Sequence, residues 1–106
     1  MRNFVCTITG GILGGVVVDV ERGDFSRLIL NKVSYNDGGV LRECYPLGRD
    51  IIKLGQDGDS GGFETSLAWN TTSQVHVGFV KMGSTLEITL GRDTNGIEYE
   101  IDFDLI

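Results

Sequence analysis

The stretch Ile97-Glu98-Tyr99-Glu100-Ile101-Asp102-Phe103-Asp104-Leu105 decides the fold class. Every odd position is apolar or aromatic, and every even position is a carboxylate. Successive side chains of a strand point to opposite faces, so period two over this length means extended chain with one buried and one acidic face. Just upstream, Leu86, Ile88 and Leu90 alternate with Thr85, Glu87 and Thr89. Between the two runs lies Arg92-Asp93-Thr94-Asn95-Gly96, whose Asn-Gly ending suits a bulged or longer hairpin loop. The reading is a β-hairpin over residues 84–105.

The same alternation recurs toward the N-terminus. Val75, Val77 and Phe79 alternate with Gln74, His76 and Gly78, and Phe63, Thr65, Leu67 and Trp69 alternate with Glu64, Ser66 and Ala68. With Asn70-Thr71-Thr72-Ser73 as the turn, these form a second hairpin, which puts Phe63 and Trp69 on its core face. Phe4, Cys6 and Ile8, then Gly10-Gly11, then Val16 to Glu21 read as a third hairpin over residues 3–21. Asn36-Asp37-Gly38-Gly39 is a turn followed by a strand from Val40 to Tyr45, and Asp50 to Leu54 gives one more short strand. Phe25, Leu28, Ile29 and Val33 fit a helical spacing behind an Asp24 cap, yet Arg27 to Tyr35 is rich in β-formers. Strand is preferred there, and one short helix in 25–35 is the alternative. The expectation is an all-β fold, a small antiparallel β-sandwich or barrel of about 7–8 short strands, in a single domain over residues 1–106. A barrel carrying that one helix is the main alternative.

Composition narrows the function classes. Fifteen acidic against nine basic residues give a net charge of −6, and the basic residues are scattered singly. Such a surface repels phosphate backbones, so direct nucleic-acid binding is not expected. No apolar run is long enough for a membrane span: Ile12 to Val20 is short and broken by glycines and Asp19. Cys6 and Cys44 form no CxxC pair and read as separate reduced thiols, with Cys6 in the core. A cytoplasmic location is expected, that of a host cell if the protein is viral.

Gly58-Asp59-Ser60-Gly61-Gly62 resembles the nucleophile motif of chymotrypsin-like serine proteases. The resemblance covers five of 106 residues, and the one histidine, His76, follows the serine where that family has it precede. Ser60 with His76 therefore stands only as a minor hydrolase alternative. Asp57-Gly58-Asp59 resembles the start of a calcium loop, but position 12 of such a loop falls on Ala68. A small-ligand or calcium-binding β-barrel is thus a second minor alternative. The glycines of Gly10 to Gly15 lack the Lys-Ser/Thr of a phosphate loop. No catalytic residue, metal site or cofactor is assigned.

Glu98, Glu100, Asp102 and Asp104 remain as the candidate partner-binding residues, a docking stripe for a protein with a basic surface. Their plainer role is a solvated face that keeps an edge strand from pairing. The sequence thus suggests a small acidic binding protein without enzymatic activity, of the inhibitor or accessory kind carried by phages and mobile elements. It would work by occluding its partner. A structural subunit of a virion or tail, forming homo-oligomers, is the competing expectation.

Overall fold

The computed structural model describes residues 2–10, 14–45, 51–58, 60–66, 74–90 and 96–106. These form nine strands: β1 (Arg2–Thr9), β2 (Gly14–Asp19), β3 (Arg27–Asp37), β4 (Val40–Cys44), β5 (Ile51–Lys53), β6 (Ser60–Ser66), β7 (Gln74–Met82), β8 (Thr85–Leu90) and β9 (Glu98–Leu105). The fold is all-β, as the alternating pattern requires, and the described residues contain no helix.

The strands make two antiparallel sheets. One runs β1-β9-β3-β4, with β5 also pairing with β3, and the other runs β2-β8-β7-β6. Their apolar faces share one core, to which β9 gives Tyr99, Ile101 and Phe103, and the second sheet gives Val77, Phe79, Leu86 and Ile88. Phe103 stacks on Phe4 within its own sheet at 5.6 Å and meets Phe79 of the facing sheet edge-on at 6.1 Å. The arrangement is a small β-sandwich.

Two expected hairpins are corrected. Residues 84–105 do form two strands, but β8 pairs with β2 and β7, whereas β9 crosses to the other sheet and pairs with β1 and β3. Likewise β1 and β2 lie in different sheets, so residues 3–21 are not a hairpin. Both inner faces of a sandwich demand the same alternation, so period two cannot say which sheet a strand joins. The hairpin of β6 and β7 is present with Phe63 opposite Val77, while Trp69 and the turn at 70–73 lie outside the described residues. The hairpin of β3 and β4 turns through Gly38 and Gly39, where the Asn36 side-chain oxygen accepts from the Gly39 N–H at 2.7 Å. The structure adds a tight β7–β8 hairpin through Gly83 and Ser84, joining Met82 to Thr85.

Residues 25–35 carry no helix: Arg27–Asp37 is one long strand. The break in strict alternation along this strand has a definite cause. The ladder to β9 slips between Leu30 and Lys32, leaving Asn31 as an extra residue. Leu28 and Leu30 are buried before this bulge, and Val33 and Tyr35 after it. A bulge inserts one residue and resets which parity faces the core, so the inward positions are spaced 2, 3, 2 and strict alternation fails.

Candidate functional site

Strand β9 is not an edge. It is hydrogen-bonded on both sides, by β1 and by β3. Its carboxylates therefore do not serve as edge protection, which corrects that expectation. They stand instead in the middle of the outer face of the five-stranded sheet. The register sets Thr9, Thr7, Val5 and Asn3 beside Glu98, Glu100, Asp102 and Asp104 on one flank. On the other flank Ser34 lies opposite Glu100, Lys32 opposite Asp102 and Ile29 opposite Asp104.

The four acids divide into two pairs. Asp102 and Asp104 are half-buried and clamped by two side-chain amides. Asn3 Nδ2 donates to Asp102 at 2.7 Å and to Asp104 at 3.2 Å, and Asn31 Nδ2 donates to the same two residues at 3.1 and 3.2 Å. The bulge on β3 is what brings Asn31 to this place. Hydrogen bonds to ionised carboxylates are the stronger kind, so these amides tie three strands together across their outer face. Glu98 and Glu100 are exposed, and among the described residues neither has an ion pair or a side-chain hydrogen bond.

Beside this free pair lies an open depression of about 370 Å³, lined by residues including Thr7, Lys32, Ser34, Leu41, Glu98 and Glu100. Lys32 faces Glu43 at 4.0 Å. Glu43 also accepts from the Tyr45 hydroxyl, which raises the pKa of that phenol. Ser34 forms the floor and is only 4% exposed. Its hydroxyl has no side-chain partner among the described residues. Leu41, 61% exposed, forms an apolar wall on β4. The sequence did not single out Ser34, Lys32, Leu41, Asn3 or Asn31. Alternation marks a face, but the bulge hides which residues of β3 share it.

Ser60, Gly61 and Gly62 of the Gly-Asp-Ser-Gly-Gly string lie on β6, in the other sheet. Ser60 pairs with Val80 and Glu64 with His76, so the backbones of Ser60 and His76 are four rungs apart. That is roughly 13 Å along the ladder, more than a serine and a histidine side chain span together when they are hydrogen-bonded. Asp59 lies outside the described residues. The glycines have structural work. Gly58 has φ +89°, a left-handed turn conformation, and a Cβ at Gly61 would collide with the Cγ2 methyl of Ile52, where β5 meets β6. Among the described residues no three of His, Cys, Asp and Glu converge to hold a metal ion. No helix there is long and apolar enough to cross a membrane.

Comparison with protein families, curated proteins and solved structures finds no match to this chain.

Proposed function

We propose that this chain is a binding protein, not an enzyme, that docks a basic protein surface on the outer face of its five-stranded sheet and thereby occludes it. One observation carries the reading. Glu98 and Glu100 are exposed and unengaged beside an open depression, on a strand that two neighbours hold rigid. A strand paired on both sides fixes the backbone spacing of these carboxylates, so docking orders their side chains but not the chain that carries them. The net charge of −6 would speed encounter with a basic partner. Occlusion of the partner's surface is the mode of action that this reading assigns, because covering a groove needs no catalytic group. Cys6 and Cys44 form no disulfide, which fits a reducing compartment such as the cytoplasm.

Affinity capture from lysate tests this, comparing the wild type with Glu98→Gln/Glu100→Gln. Retention at low salt that the double variant loses supports the reading; equal retention by both refutes it.

A second reading, self-assembly, is favoured by the β4 edge, where Val40, Leu41 and Tyr45 are all exposed. Light scattering separates the two. A monomer or dimer fits the occluding protein, and a large discrete oligomer fits an assembly subunit.

A further inference from the structure

We infer that the depression beside Glu98 and Glu100 is the receptor for a single arginine side chain of the partner; this rests on the docking reading above. Three features of the depression select this guest. First, its charge is negative. Two carboxylates, Glu98 and Glu100, face one ammonium, Lys32, which is already directed at Glu43. Second, its floor offers an acceptor that the protein leaves unused. Ser34 is on the outer face, opposite Glu100 on one side and Glu43 on the other, and is more than nine-tenths buried. A hydroxyl so buried without a protein partner is uncommon. A donor entering the depression would restore that bond. Third, Leu41 supplies an apolar wall against which a methylene stem can lie while its charged head reaches the acids.

A guanidinium meets all three conditions. Its five N–H groups form a rigid planar fork that can give hydrogen bonds to a carboxylate and to a neighbouring oxygen together. A lysine ammonium carries the same charge, but it is a compact, strongly hydrated point that leaves water more reluctantly. The depression should therefore distinguish two guests of equal charge.

Titrating the isotope-labelled protein with hexaarginine and with hexalysine, followed by NMR, tests this. Hexaarginine should bind at least about fivefold more tightly, with the largest shifts at the amides of Ser34, Glu98 and Glu100. Ser34→Ala should lower hexaarginine affinity by about tenfold, the scale of a lost hydrogen bond to a charged group, and leave hexalysine unchanged. Glu100→Gln should weaken both peptides. Ser34→Ala removes an unpaired polar atom and keeps the chain folded, which its spectrum would verify. Equal affinity for the two peptides, or an arginine preference that survives Ser34→Ala, overturns the arginine receptor. In that case salt-sensitive binding of both peptides at Glu98 and Glu100 leaves the docking face standing. If neither peptide shifts these residues, the receptor and the docking face fall together.

Discussion

A methyl group added at Gly61 would overlap the Cγ2 methyl of Ile52, a branch fixed at the Cβ of a buried residue. It cannot swing aside as the end of a long side chain would. Gly61→Ala should therefore cost about 1–3 kcal/mol, the usual penalty of overpacking, read as a lower urea midpoint with unchanged slope. A neutral result would mean that β5 does not press on β6 there. Cys6 makes a second claim at this scale. Burial pushes its thiol up from 9.0 to about 11. Above pH 9 the unfolded chain gives up this proton first, so unfolding gains and stability falls as pH rises from 9 toward 11. Below pH 9 the thiol is protonated in both states and the contribution is constant. Cys6→Ala should show a shallower decline over that window in urea titrations at several pH values. Identical curves would mean that the thiol is not desolvated.

Asn31 is the extra residue in β3, and the register around it makes a prediction that a regular strand would not. Deleting Asn31 leaves Leu28, Leu30, Val33 and Tyr35 in unbroken alternation against β9. That variant should fold, less stable for losing one amide of the clamp on Asp102 and Asp104. Deleting Leu30 or Val33 instead absorbs the bulge at the core's expense, setting Asn31 opposite Phe103 or Lys32 opposite Ile101 on the inward face, where a buried polar group destabilises the fold far more. Circular dichroism and urea unfolding would separate the cases, and an unfolded Asn31 deletion would contradict the bulge assignment. The same bulge marks how far the sequence could be read. Alternation located the strands of 84–105, 63–79 and 3–21, because a half-buried strand must alternate whatever its neighbours are. It did not reveal that β8 and β9 part company, since Leu86, Ile88 and Leu90 on one sheet and Tyr99, Ile101 and Phe103 on the other obey one pattern. Nor did it find Ser34, whose position on the outer face follows from the bulge. The acidic face itself was plain in the sequence. Its division into clamped aspartates and free glutamates depends on amides about 70 and 100 residues away, Asn31 and Asn3.

The molecule as a whole is an acidic sandwich whose outer surfaces differ. One sheet places Glu98 and Glu100 next to a polar depression with an apolar wall; the other carries the serine-glycine string, whose glycines serve turning and close packing. The claim that joins these observations is that binding is local to the first face and does not follow from net charge alone. The most direct measurement is the salt dependence of affinity for a captured partner, made with the wild type, Glu98→Gln/Glu100→Gln, and the charge-matched control Glu21→Gln/Glu87→Gln. Each double variant removes two negative charges, but Glu87 lies on the four-stranded sheet and Glu21 follows its edge strand β2. The glutamate pair on β9 should weaken binding at least about tenfold, a loss of ~1.4 kcal/mol, and flatten the salt slope, while the control stays within about twofold of the wild type. Equal losses in the two variants, or none in either, would contradict a docking site on β9.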